Sequence, residues 1–437
     1  MELLDLANRT IDTGELTSSI NRVTNRLTEV ADGLAVVESF SHVWVVSTPE
    51  GLVLFDVSSG ATGAAVLEAV RAWSGDPVHT IVYTHGHVDH VGGASHWMHD
   101  ASNRGNARPR VVAHRQVKQR LDRYRRTNGY NLAINARQFA PSRTMALNTE
   151  QPSFVPAGTP DPDLEYDDDL EISVGGERFV LHHGRGETDD HTWTEWVDHD
   201  TLFVGDFLTW NFPNCGNPQK VLRYPAEWAM NLRRMIATAP QLVAPAHGLP
   251  VQRPDRVARV LGTTAEALEG LTGAVIDLLN ADATLDDALH TVRVPDELLM
   301  LPWLRPFYDE PEFVIHNLWR TYGGWWDGNP AHILPPRQRD LAREVVAMSG
   351  GLDKVVAHAT GLAASGDLRT AAELIEMAVQ SDPSSRTAHA ARVEIYAAHR
   401  RAATSLMAKG IFEATVRDSA ERAGVEVPEM RRAKPGS

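Results

Sequence analysis

The ten residues THGHVDHVGG, Thr84 to Gly93, put His85, His87, Asp89 and His90 within six positions, directly after the apolar run TIVY (Thr80 to Tyr83). A short apolar run of this kind reads as a buried strand. The histidines therefore fall where a strand ends and a loop begins, a place where a rigid sheet can aim side chains at one point. His85 and His87 are two apart and share one side of an extended segment. The glycines Gly86, Gly92 and Gly93 allow a tight turn and close backbone approach. Imidazole and carboxylate donors without thiolate suit zinc, manganese or iron. Nineteen histidines spread over 437 residues do not produce this cluster by chance.

Composition narrows the class. Fifty-seven acidic and 42 basic residues leave a net charge of −15, which argues against a nucleic-acid backbone as the main partner. An anionic small substrate stays possible because a metal ion inverts the local field. Cys215 is the only cysteine, so neither an intrachain disulfide nor a thiolate metal cage can form. The first residues, MELLDLANRTIDTGELTSSINRV, lack the basic and apolar regions of a signal peptide, and no window approaches 18 apolar residues. The expectation is a cytoplasmic protein with no membrane span.

From about residue 30, GLAVVES, HVWVVSTPEGLVLFDVS, TIVYTH, RVVAH, RFVLHHG and DTLFVGDF read as strands. Helical patterns lie among them, at Gly63 to Trp73 and Ala226 to Thr238, and the mixture points to an α/β layer structure over residues 1–255. The acidic, proline-rich stretch Pro156 to Glu171 reads as an exposed loop. Residues 256–430 read as an all-α domain, with helical segments separated by SGG, SGD and SDPSS. The last residues, EMRRAKPGS, are expected to fray.

H-x-H-x-D-H after a strand resembles the signature of the metallo-β-lactamase family, whose αβ/βα sandwich carries a hydrolytic site for one or two metals. Further elements follow in the family's order. HHGRGETDDHTW (His182 to Trp193) falls where the family has a P-G-H-T loop, with Glu187 in place of the usual histidine; LFVGDF supplies Asp206, and LVAPAHG supplies His247. The resemblance implies that His85, His87 and Glu187 hold one metal, that Asp89, His90 and His247 hold another, and that Asp206 bridges them. It implies a cofactor of two divalent ions, zinc first with manganese or iron as alternatives, and a metal-bound hydroxide as nucleophile. His182 and His183 are expected to stay outside the ligand set.

Glutamate at the third ligand position is similar to the alkylsulfatase branch, the type III sulfatases. HNLWRTYGGWWDGNPAHILPP (His316 to Pro336) and the helices after it look like the dimerisation domain of that branch. This chain departs from the branch in its aspartate bridge within GDF, where the branch has glutamate in A-E-N. The resemblance further leads one to expect a protein without the lipid-carrier-like domain and the secretion signal of many relatives.

The resemblance implies a hydrolase that cleaves an anionic ester, foremost an alkyl or small organic sulfate. The alternatives are another hydrolase of the fold (phosphodiesterase, lactonase or thioesterase) and a non-catalytic assembly protein. Asp89 and His191 are the expected catalytic residues, His191 as a proton donor. Substrate contacts are expected from NFPNCGNPQKVLRY, through Asn211 and Arg223, and from the basic segment Arg123 to Phe139, through Tyr130. The expected partners are a small anionic substrate and a second copy of the chain, a homodimer formed through the helical domain.

Overall fold

The apolar runs pair into two sheets. A computed structural model describes residues 3–17, 19–139 and 152–430. Among these, one sheet runs in chain order: β1 (Arg26–Ala31), β2 (Leu34–Glu38), β3 (Val43–Thr48), β4 (Gly51–Phe55), β5 (Val78–Val82), β6 (Arg110–His114) and β7 (Leu164–Tyr166). β1 to β4 are antiparallel, and β4 to β7 are parallel. The second sheet holds β8 (Asp169–Val174), β9 (Glu177–His183), β10 (Thr192–Trp196), β11 (Thr201–Gly205), β12 (Leu242–Pro245) and β13 (Val251–Gln252). Only its β11–β12 pair is parallel.

Strands β2 to β6 of the first sheet are largely apolar at consecutive positions because both faces are covered. Alternate residues divide between two cores, as the two-residue period of a strand requires. Val36, Trp44, Val46, Val53, Phe55, Val82 and Val112 point into the core shared with Phe179, Leu181, Trp193 and Phe203 of the second sheet. Val37, Val43, Val45, Leu54, Ile81 and Val111 pack on the helices Gly63–Trp73, Ala94–Asn103 and Gln116–Arg126. Phe55 and Phe203 stack across the sandwich with ring centroids 3.7 Å apart. Trp44 Nε1 donates to the Pro245 carbonyl at 2.9 Å and ties the sheets together beside the end of β12.

The stretch Pro156 to Glu171 differs from its expected loop: it holds β7 and begins β8. Both strands are acidic and partly exposed, which is how edge strands avoid further pairing; their charge disguises them in sequence. The helix Leu3–Thr13 was not anticipated either, and its Leu3, Leu6, Ala7 and Ile11 enter the inter-sheet core.

The helical region begins as expected, but the compact units divide after Trp325 rather than at residue 255. The physical reason is helix Pro254–Asn280, whose Val257, Val260, Leu261, Leu268 and Leu271 extend the core of the sandwich. Helix Pro311–Tyr322 does the same with Val314, Ile315, Leu318 and Trp319. The second unit contains helices Gln338–Met348, Leu352–Ser365, Leu368–Ser381, Arg386–Ala402 and Leu406–Ala423, around Val355, Ala359, Ile375, Ala378 and Ile395. Its breaks coincide with the polar stretches read from sequence. Asp367, Ser385 and Ser405 accept backbone N–H groups at the starts of three helices. No described helix is long and apolar enough to cross a membrane. The expected fraying of the last residues falls mostly on 431–437, outside the described residues.

Truncating Phe55 to alanine removes a ring stacked at the centre of the sandwich. It is expected to cost about 3–5 kcal/mol in denaturant unfolding followed by tryptophan fluorescence.

Candidate metal centre

β5 ends at Val82, and the chain then turns through Thr84–His87 into the short helix Val88–Val91. Asp56, at the end of β4, shapes this turn. Its carboxylate accepts the Thr84 N–H at 2.8 Å and the Thr84 hydroxyl at 2.8 Å, and lies 2.7 Å from His90 Nδ1. A carboxylate on the far nitrogen fixes the ring and leaves Nε2 free to face the centre. On the other side Asp190 accepts the Gly86 N–H at 2.9 Å, and Arg120 Nε lies 2.9 Å from the same carboxylate. A Cβ at Gly86 would sit 3.0 Å from both Arg120 Cδ and Asp190 Oδ2, so a side chain here would press on that ion pair. Burial opposes the Asp190 charge, but Arg120 outweighs it and holds the carboxyl down at about 2.

The seven residues expected as ligands come together from four segments. Glu187 Oε2 lies 3.5 Å from His85 Nε2 and 3.4 Å from His87 Nδ1. Asp89 Oδ2 lies 3.6 Å from His90 Nε2 and 3.5 Å from His247 Nε2. Asp206 stands between the groups: Oδ2 is 3.9 Å from His85 Nε2, while Oδ1 is 3.4 Å from His90 Nε2 and 3.6 Å from His247 Nε2. His85, His87, Glu187 and Asp206 can hold one ion, and Asp89, His90 and His247 another.

Three buried atoms in the cluster, His90 Nε2, Glu187 Oε2 and Asp206 Oδ1, have no hydrogen-bond partner among the described residues. Leaving such groups unsatisfied is costly; His90 Nε2 and Asp206 Oδ1 lie 3.4 Å apart, and Glu187 Oε2 lies 3.4 Å from His87 Nδ1. The field also favours a cation. Burial works against a charged His90, yet Asp206, Asp56 and Asp89 outweigh it and raise its pKa well above the imidazole range. His85 goes the other way: burial, then His90 and His87, keep it neutral and able to offer a lone pair. The cluster thus fits two divalent ions in donor type, in number and in its unpartnered atoms.

The remaining expected residues are placed as follows. His191 lies fully buried behind His85, with ring centroids 4.6 Å apart. Its Nε2 accepts the Asp206 N–H at 3.1 Å, and burial followed by the neighbouring His85 keeps the ring neutral. That position suits holding the Asp206 peptide rather than the expected proton donation. Asn211 donates to the Thr209 carbonyl at 2.9 Å, and Tyr130 is exposed, its hydroxyl donating to the Gln219 carbonyl at 3.1 Å. Arg223 is buried and paired with Glu187 Oε1, to which Asn214 Nδ2 also donates. His182 stacks on Trp193, and His183 stacks on His114 at 3.7 Å, both outside the ligand set.

Sequence reading missed Asp56, Arg120 and Asp190; Asn214, expected in the substrate loop, stands on Glu187 instead. Only Asp56 leaves a signal, a charge closing the apolar strand GLVLF. Lys220, in the expected substrate loop, lies over the Phe154 ring at 5.8 Å and forms no ion pair among the described residues.

The comparisons with known proteins agree with this architecture. The model of the metallo-beta-lactamase superfamily matches residues 36–247, and that of alkyl sulfatase dimerisation matches residues 284–421. A linear primary-alkylsulfatase of a Pseudomonas species is 25% identical over 353 residues, 77% of this chain and 66% of the relative. A second linear primary-alkylsulfatase from Pseudomonas is 22% identical over 381 residues, covering 83% of this chain and 56% of the relative. The chain therefore spans less than two thirds of the length of these curated relatives. The solved structure of the stereoselective inverting sec-alkylsulfatase Pisa1 from Pseudomonas superposes with a TM-score of 0.79 at 20% identity, over 92% of this chain and 66% of that one, and shares its fold. The chain carries a metallo-beta-lactamase superfamily domain followed by an alkyl sulfatase dimerisation domain.

Proposed function

We propose that the chain is a metal-dependent hydrolase of sulfate esters, acting on an alkyl or small organic sulfate. The observation that carries this reading is Asp206, which offers one oxygen to each of two donor groups in a buried cluster. The relatives named as alkylsulfatases support the sulfate as the hydrolysed group.

His85, His87 and Glu187 would hold one ion, Asp89, His90 and His247 the other, with Asp206 shared; zinc is the first choice for this donor set. Two bound divalent ions supply Lewis acidity that lowers the pKa of coordinated water and offsets charge on the leaving group. The protein's own groups do the positioning. Asp56 and Asp190 hold the histidine turn, and His191 holds the Asp206 peptide. Asp89, 22% exposed at its side chain, is the ligand carboxylate most open to solvent and is assigned to take the proton from the attacking water. Lys220 is assigned to grip the sulfate, with Asn211 and Tyr130 flanking its loop. Burial, then Arg223, lowers the Lys220 pKa to about 8. Its charge is still present at neutral pH, and among the described residues it forms no direct ion pair, Glu187 and Asp89 acting on it only through space. Exposed apolar side chains stand beside the ligand His247 and beside Lys220. Phe40 is exposed and meets the His247 ring edge-on at 6.3 Å, and Val221 and Leu222 beside Lys220 are exposed as well. Such a rim suits the carbon skeleton of an organic ester better than an inorganic anion.

We also propose a homodimer through the second unit. Ile333, Leu334, Leu341 and Met348 are exposed there, Leu334 at 90% and Met348 at 81%. Surface of that kind calls for a partner, and the dimerisation match supports a second copy. The cytoplasmic location is part of the proposal as well and is read by cell fractionation.

Purified protein is expected to contain two divalent ions per chain by elemental analysis and to hydrolyse organic sulfates in preference to matched phosphates and lactones. Asp206→Ala should lose metal and at least about a thousandfold in kcat/KM, since several kcal/mol of charge stabilisation go with it. A metal-free wild type, or equal turnover of Asp206→Ala, would sink the reading.

Lys220 loses its charge as pH rises through about 8. KM for the sulfate is therefore expected to climb above that pH, and Lys220→Arg should remove the climb because guanidinium stays protonated. Lys220→Met should raise KM about tenfold or more at pH 7. The double variant Leu334→Lys/Met348→Lys should halve the mass seen by light scattering while retaining activity.

A further inference from the structure

Glu187 has two carboxylate oxygens, and they face different neighbours. Oε2 looks toward His85 and His87, while Oε1 is taken by the Arg223 guanidinium and the Asn214 amide. Which oxygen faces the ligand gap thus depends on where Arg223 and Asn214 stand. Both belong to the loop from Asn211 to Tyr224, which has no strand or helix to hold it.

The loop is pinned instead by the helical stretch that follows the sandwich. Asn317, nearly buried on helix Pro311–Tyr322, accepts the Arg223 N–H on Oδ1 at 2.9 Å and donates from Nδ2 to the Arg223 carbonyl at 2.9 Å. One amide side chain satisfies both backbone groups of Arg223. Just before this helix, Asp309 accepts the Gly216 N–H at 2.6 Å and its neighbour Glu310's N–H at 2.8 Å. Gly216 lies so close to the helix that a Cβ there would meet the Phe313 carbonyl carbon at 2.3 Å. Arg223 Nη1 also donates to the Asn214 carbonyl at 2.9 Å, closing a network that runs from Asn317 to Glu187.

We infer that Asn317 is a positioning residue for the metal centre: by clamping the Arg223 peptide, it keeps Arg223 on Glu187 Oε1 and leaves Oε2 to the ion shared with His85 and His87. The inference rests on the reading that this cluster holds metal. It gives the stretch 284–421, matched as a dimerisation domain, a part in building the hydrolytic site. The chemistry asks for such a clamp, since groups that orient a ligand commonly set metal affinity by about 10- to 100-fold.

The test is zinc titration of the metal-stripped full chain by calorimetry, repeated with cobalt and its visible absorption. Wild type should take two ions. Asn317→Leu and Asn317→Asp should each weaken one ion about 10- to 100-fold and leave the other at its wild-type affinity. The Leu variant removes both hydrogen bonds; the Asp variant keeps the acceptor and loses the donor, so it serves if the first does not fold. Val314→Ala, on the buried face of the same helix, destabilises without touching the clamp and should leave both affinities in place. Unchanged binding of both ions by the Asn317 variants overturns the inference, as does an equal loss in Val314→Ala. A wild type that binds no ion overturns the metal reading itself, and this inference with it.

Discussion

The centre concentrates negative charge in a largely buried cluster. Asp56, Asp89, Glu187 and Asp206 lie around one gap, and burial alone would disfavour every one of their charges. The arrangement persists only if positive charge stands among them. Some of it is built in: Arg223 on Glu187, and Arg120 on Asp190 one layer behind. The rest is left to imidazoles that can take protons or to ions in the gap between them. Much of the surrounding fold, from the Asp56 contact under His90 to the His191 bond on the Asp206 peptide, holds donor atoms that would otherwise repel or turn to solvent.

That constraint explains why side chains far apart in sequence serve one another. Glu187 carries a charge that a histidine in its place would not. Arg223 offsets it, Asn214 shares its oxygen, and Asn317 holds the arginine from 94 residues away. A carboxylate ligand therefore comes with its own counter-charge and its own support, and the replacement of one residue in a motif is answered by three outside it.

The strands were legible because burial on both faces writes continuous apolar runs, and the ligands were legible because histidine, aspartate and glutamate follow those runs at fixed points. The supports were not. Arg120 looks like one more arginine on the basic helix Gln116–Arg126, and only the fold turns it inward to Asp190. Asn317 is one polar residue on an amphipathic helix. β7 and β8 were hidden by their acidic edges. Helix composition changes at residue 255, while helix burial against the sandwich continues to Trp325, so composition and compactness divide the chain at different points. Periodicity reports which face of an element is apolar; it does not report which neighbour that face will meet.

Helix Asn128–Phe139 starts in the first compact unit, but from Ala133 it is counted with the second, whose remaining helices lie beyond Trp326. A segment made early in synthesis must therefore wait for nearly two hundred further residues before its companions leave the ribosome. The C-terminal helices therefore cannot be cut out as one continuous piece without leaving that segment behind.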